Sequence, residues 1–165
     1  MFRDMRRGKQ LLPHDTSVDI LTKGTSGVLA LLGDGGYPYA VPLSYVYHQG
    51  KLYFHGAKVG HKIDAARACP KASFCVVEQD QVVAEEYTTY FRSVIVFGQL
   101  RILEDQTELM DAIQALGKKY FPGDTPEHRQ QAIDREFTGM GMLELTIEHM
   151  TGKEAVELMR RRTQN

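Results

Sequence analysis

The four residues Gly33-Asp34-Gly35-Gly36 constrain this chain more than any others. They separate a short apolar run, residues 27–32, from a β-branched and aromatic stretch, residues 37–48. Glycine accepts the positive φ of a tight reversal without steric cost, so the two runs must fold back on each other. Gln49-Gly50 reverses the chain again into residues 51–55. The spacing therefore predicts an antiparallel meander of three strands. Pro38 and Pro42 interrupt the middle one. Proline cannot donate to a ladder, so these positions belong to an edge, a bulge or a surface facing a ligand.

Elsewhere strands outnumber helices. Asp15 is expected to cap a helix over 16–23, with Val18, Ile20 and Leu21 apolar and Gly24 ending it. Residues 60–68 carry helical spacing, with Ile63 and Arg67 on one face, and Pro70 stops them. Strands are expected at 71–78, 90–103 and 142–147, a loop at 84–88, and helices at 105–120, 126–137 and 153–161. Helices interrupt this pattern without alternating regularly with strands. That predicts a mainly β fold, an antiparallel barrel with peripheral helices, rather than a doubly wound sheet. No repeat or linker divides the chain, so residues 1–165 are expected to form a single domain.

With 20 Lys+Arg against 21 Asp+Glu, the net charge of −1 favours neither nucleic acid nor an anionic membrane as partner. The basic termini (Arg3, Arg6, Arg7 and Lys9; Arg160, Arg161 and Arg162) are expected to be solvated ends. No apolar run reaches the ~20 residues of a membrane span, and the first residues lack a secretory core, so a cytoplasmic protein is expected. Cys69 and Cys75 lack metal-site spacing; Cys75 is expected to be a small core residue.

The residues with most chemical promise follow Tyr53-Phe54-His55-Gly56-Ala57. There a strand ends in a glycine-bearing turn, and a helix opens with His61 and Lys62. A helix start offers unpaired N–H groups and the positive end of a dipole. An imidazole and an ammonium beside it make a seat for phosphate. Gly33–Gly36 is no dinucleotide fingerprint, since no helix follows, and no P-loop is present. No carboxylate or cysteine accompanies His48, His55 and His61 at metal-ligand spacing, so no metal site is expected. His55 alternates onto one strand face, as either a functional or a rim histidine. Arg92-Ser93 opens the long strand; the arginine suits either an anionic ligand or a surface pair with Glu85 or Glu86.

Three blocks (Tyr37 to Tyr47, Tyr53 to Ala57, and Gly60 to Ala65) resemble the pyridoxamine-5′-phosphate-oxidase-like, FMN-binding split barrels. Within them the chain is similar to the Nim-type branch, associated with 5-nitroimidazole resistance. Tyr87 to Gly98, Glu148 to Ala155 and the opening Met1 to Arg7 extend the match across nearly the whole chain, most weakly at 104–140. The resemblance implies a homodimer with flavin mononucleotide (FMN) in clefts between subunits. His61 and Lys62 would address the phosphate, helped by Gly56 and Ala57. Val41, Pro42, Leu43 and Ser44 would line the isoalloxazine ring, largely through backbone groups. His55 would lie at the cofactor, and Arg92 and Ser93 near it, contributed by the partner subunit. Many relatives carry serine or cysteine where this chain has Gly56, so backbone N–H must replace that donor.

The function implied is an FMN-dependent reductase that converts the nitro group of 5-nitroimidazoles to an amine. His55 or His61 would supply protons, histidine being the side chain that titrates near neutral pH. A flavin- or haem-binding module without turnover is the rival, and oxidation of pyridoxamine phosphate a third reading. The apolar strand Val94-Ile95-Val96-Phe97 needs cover, either from a partner subunit or from the helices at 105–137.

Overall fold

The computed structural model describes residues 2–164. Met1 of the opening motif and Asn165 of the expected 1–165 domain lie outside the described residues. Seven strands form one antiparallel sheet in the order β2-β1-β5-β6-β7-β4-β3. They are β1 (Ser26–Leu32), β2 (Pro38–Ser44), β3 (Val46–His48), β4 (Lys51–Ala57), β5 (Lys71–Val83), β6 (Thr88–Ile102) and β7 (Met140–Glu154). The helices are α1 (His14–Lys23), α2 (His61–Ala68), α3 (Gln106–Tyr120), α4 (Pro126–Glu136) and α5 (Val156–Gln164).

The first hairpin forms as the glycine turn requires: β1 and β2 pair from Ser26↔Ser44 to Leu32↔Pro38. Gly35 and Gly36 take φ of 62° and 78°. The expected three-stranded meander does not form. The stretch 37–48 breaks at Tyr45, and β3 and β4 make a hairpin at the opposite end of the strand order from β2. Tyr45 itself explains the break. Its ring is fully buried, packed edge-on against Phe74, and its hydroxyl donates to the Leu21 carbonyl at 2.7 Å. Its backbone N–H, lost to the sheet, donates to the Tyr120 hydroxyl at 3.1 Å, and that hydroxyl donates to the Thr25 carbonyl. A buried aromatic thus anchors the crossing, and α3 satisfies the backbone that the break leaves unpaired.

Inside the curled sheet, alternate residues build the core: Leu29, Leu31, Phe54, Phe74, Val94 and Val96, with Ile20 and Leu21 of α1 and Ile63 of α2. A second cluster joins α3 and α4 to Val46, Tyr53 and Met142, where Leu109, Ile113, Leu116 and Ile133 repeat at helical spacing. Those helices therefore cover β3, β4 and β7, not the strand at 94–97. There Val94 and Val96 point inward, while Ile95 and Phe97 face out. Cys75, expected in the core, lies on that outer face at the register of Val28 and Ile95 and is half-buried.

Several boundaries move. Pro13, not Asp15, stands at the start of α1; Asp15 lies in its first turn and makes no cap. In α2, Ile63 is buried but Arg67 is exposed, because Ala65 and Ala66 take the inner positions. β5 and β6 run on beyond 78 and from 88, forming one long hairpin. β7 reaches Glu154, where β6 supplies a partner throughout, so the closing helix begins at Val156. One extra β7 residue opposite Phe97/Gly98 bulges this pair, and a Cβ on Gly98 would overlap the Thr146 carbonyl. The C-terminal basic run is only partly solvated. Arg162 donates to the fully buried Glu154 at 2.6 Å, and Arg161 donates to the Tyr90 hydroxyl at 3.1 Å.

One buried carboxylate ties the second cluster together. Glu144 accepts from Arg101 Nε and Nη2, both at 2.8 Å, and from Lys51 Nζ at 3.0 Å. Arg101 also grips Glu108 at the start of α3. Burial alone would push the Glu144 carboxyl up, but the hydrogen bonds and charges of Arg101 and Lys51 outweigh it and hold the pKa at about 2. A carboxyl depressed in the folded state stabilises above its unfolded pKa, and loses that contribution as the pH falls through the folded value. Glu144→Gln is expected to lower unfolding free energy by about 1–3 kcal/mol at pH 7. In urea titrations the variant should also lose less stability than wild type between pH 5 and pH 2. Equal acid sensitivity of the two would contradict the assignment.

Candidate functional site

The sheet leaves a slot. β2 pairs only with β1, so its other edge is open. β3 covers β4 only from Lys51 to Tyr53, so Phe54 to Ala57 also keep a free edge. These edges border the candidate site: Ser44 of β2 and His55 of β4 line one cavity, and the helix after β4 touches β2. Pro38 and Pro42 now have their reason. They share parity on an edge strand in regular register, with no bulge, so their missing N–H groups face away from β1. The carbonyls of Pro38, Ala40 and Pro42 and the N–H of Ala40 face the same way. Side chains follow the complementary rhythm: Tyr39, Val41 and Leu43 pack on the core, and Pro38, Ala40, Pro42 and Ser44 are exposed. Val41 and Leu43, of the opposite parity, turn their side chains to the core and their backbone N–H and C=O to β1, so the groups that the strand offers to the slot are those of Ala40, Pro42 and Ser44.

At one end of the slot α2 begins. Gly60 holds φ 117° at the N-cap, a value that favours glycine, and no side chain caps the helix. The first backbone N–H groups of α2, those of His61 and Lys62, stay unpaired in the helix. His61 stacks on Tyr39 of β2, ring centroids 4.1 Å apart and 18° from parallel. Its Nε2 lies 3.7 Å from the exposed carboxylate of Asp34, in the β1–β2 turn. Lys62 folds back over Gly56, where a Cβ would come within 2.8 Å of Nζ. No carboxylate pairs with Lys62 among the described residues, and burial pushes its pKa down. An ammonium partly stripped of water without a counter-ion is a receptive partner for an anion. These residues fit a phosphate group, and Gly56 fits them by leaving room for the lysine. Asp34 could not be picked out from the sequence as a neighbour of His61; only the folding of the hairpin turn over α2 brings them together.

The remaining expected residues divide. His55, exposed on β4, lines both the cavity beneath α3 and α4 and a second one with Gly56, Ala57 and Met140. Arg92 and Ser93 do not join the slot within this chain. His55 pairs with Met142 near the start of β7, and Arg92 with Glu154 at its end. That is about 40 Å of strand contour at ~3.3 Å per residue. Nor does Arg92 pair with Glu85 or Glu86. Register sets it opposite Glu154, Nε to Oε2 at 3.5 Å, and Glu86 accepts from the Tyr90 hydroxyl at 2.6 Å instead. Among the described residues no cluster of histidine, cysteine and acidic side chains is placed to hold a metal ion, and no helix is long and apolar enough to cross a membrane.

Inorganic phosphate is expected to shift the ring resonances of His61 and the backbone amides of His61 and Lys62 in NMR titrations. Asp34→Asn, which removes a carboxylate that competes for the imidazole, should tighten phosphate by about 2–5-fold, the scale of one exposed charge pair. Unchanged or weaker binding in that variant would mean that Asp34 orients His61 rather than competes for it.

Comparison with known proteins follows the same outline. The family model described as pyridoxamine 5′-phosphate oxidase matches residues 13–154. A candidate 5-nitroimidazole antibiotic resistance protein from Bacteroides thetaiotaomicron superposes with a TM-score of 0.74 at 18% identity, covering 87% of this chain and 86% of the other. A FAD-binding protein from Mesorhizobium loti gives 0.63 at 27% identity, covering 87% and 94%. The FAD and heme binding protein from Mycobacterium smegmatis gives 0.73 at 21% identity, covering 88% and 73%. No curated protein matches the chain.

Proposed function

Because this chain belongs to the pyridoxamine 5′-phosphate oxidase family, we propose that it is an FMN-binding oxidoreductase able to reduce 5-nitroimidazoles to amines. One observation carries the reading: an uncapped helix start and an unpaired, half-buried Lys62 beside a strand edge whose backbone groups face outward. The first two suit the phosphate of a flavin nucleotide, and the third suits its planar, hydrogen-bonding ring. Similar structures include FAD-binding proteins and a candidate nitroimidazole resistance protein, which supports the same direction. FMN, when bound, supplies the electron chemistry.

In this reading each residue does work of its own. Lys62, His61 and the first N–H groups of α2 hold the phosphate, with Gly56 and Ala57 as the floor. The outward backbone of Pro42 and Ser44 orients the ring, and Val41 and Leu43 hold that edge against β1 and the core. His55, exposed where the slot meets the cavity, delivers protons to the acceptor, and His61 serves the phosphate end. Arg92 and Ser93 come from the second subunit of a homodimer. The outward apolar face of Val28, Val77, Ile95 and Phe97 supports that assembly, since a partner sheet would remove it from water.

Fluorescence titration tests the seat. Lys62→Ala is expected to weaken FMN by about 10–100-fold, the scale of a charge-assisted hydrogen bond, and His61→Ala by less. Wild-type affinity in both variants would overturn the reading. The spectrum of purified protein tests the cofactor class: bands near ~370 and ~450 nm for flavin, against a Soret band near ~400 nm for the rival haem-binding module. Anaerobic addition of a nitroimidazole and a reductant then separates a reductase, which yields the amine, from a binding module, which does not.

A further inference from the structure

The cavity between α3, α4 and the end of β4 extends past the flavin slot. It is open to solvent on one side and offers about 420 Å³, a volume suited to a small molecule. Ile113, Leu116, Phe121, Ala132, Ile133 and Met140 give it an apolar wall, and Ser44 and His55 form the end toward the slot. Arg129 of α4 also lines it and is only 8% exposed. Its Nε donates to Gln114 Oε1 at 2.9 Å. Among the described residues its two terminal nitrogens make neither a hydrogen bond nor an ion pair. The stem is fixed by packing: a Cβ on Gly117 would come within 2.8 Å of Arg129 Cδ. The nearby carboxylate of Asp124 is taken by His128 Nδ1 at 2.7 Å, and Glu136 stands exposed at the rim.

A guanidinium stays charged, and one held in place with little exposure and no paired carboxylate is a receptive partner for an anion. Among the described residues no carboxylate pairs with Arg129, and the free face of the fork adjoins a chamber that is apolar along most of its wall. We propose that this cavity binds a small, flat, apolar molecule bearing a carboxylate. The carboxylate lies on the terminal nitrogens of Arg129, and the body runs along the α3–α4 wall toward Ser44 and His55. A planar fork matches two carboxylate oxygens. A phosphate dianion fits worse, because no second cation lines the chamber except through His128, and Asp124 and Glu136 oppose further negative charge. That this molecule is the electron acceptor rests on the flavin reading; that it binds does not.

Calorimetry on the flavin-free full chain tests the binding with 4-nitrobenzoate, its neutral amide and 4-nitrophenyl phosphate. The carboxylate is expected to bind about 10-fold or more tighter than the amide, and tighter than the phosphate, as a charge-assisted pair predicts. Arg129→Gln should bring carboxylate and amide to similar affinity, and Ala132→Trp, which fills the chamber and leaves Arg129 in place, should weaken both. Equal affinity of acid and amide for wild type overturns the proposal without need of any variant, as does discrimination that survives in a folded Arg129→Gln protein. With FMN and excess reductant added anaerobically, a bound 4-nitrobenzoate that is never reduced counts against the reductase reading and leaves the cavity assignment standing. Nitroimidazole turnover with no preference for the acid does the reverse.

Discussion

The break at Tyr45 is the constraint on which the rest of this molecule depends. One residue sends β2 and β3 to opposite ends of the strand order, leaving the edges of β2 and of β4 from Phe54 onward without partners. A continuous strand would have closed the sheet and filled the slot with backbone hydrogen bonds. Tyr45 holds the break because its ring is fully buried and its hydroxyl is satisfied by α1. α3 supplies the rest: Tyr120 bonds the Tyr45 backbone, and Lys119 lies 4.1 Å over the Tyr45 ring while donating to the Gly24 carbonyl. Burial brings the Lys119 pKa down to about 8, a sign of how closely this helix is pressed onto the crossing.

Charge is distributed in two different ways around that frame. At the start of α3 the charges answer one another: Glu144 faces Arg101 and Lys51, and Arg101 faces Glu108 as well. Such a network fixes the helix to the sheet and leaves nothing over for a ligand. At the slot and the adjoining cavity, Lys62 and Arg129 lack carboxylates among the described residues. These two cations are where the proposed anions would be held, whereas Lys119, also without a carboxylate, is held by the Gly24 carbonyl and the Tyr45 ring.

Much of this was legible in the residues. The glycine turn at 33–36 led to the β1–β2 hairpin, and the helical stretches read at 105–120 and 126–137 became α3 and α4. The helix opening at His61 was visible because glycine, imidazole and lysine occur together at a change of periodicity. Prolines four apart pointed to an edge, a bulge or a ligand-facing surface, and the structure places them on an edge in regular register. Strand partners were not legible. Nothing local distinguishes a residue 45 that continues a strand from one that ends it, since the preference comes from Phe74, Leu21 and Tyr120, distant in sequence. The surface partner of Arg92 was hidden for the same reason: not Glu85 or Glu86 but Glu154, 62 residues further on, which only register brings opposite. Arg129 carried no signal at all, because an arginine on an amphipathic helix is ordinarily exposed.

The sequence by itself determined where the chain turns, which faces of its strands and helices are apolar, and that a cationic helix start follows a strand. These are consequences of φ preferences, periodicity and dipoles acting over a few residues. Only the tertiary structure decided which strand edges stay unpaired, which charges go unanswered and which apolar wall closes over Arg129. Those outcomes depend on contacts between segments far apart in the chain, where burial sets the strength of each interaction.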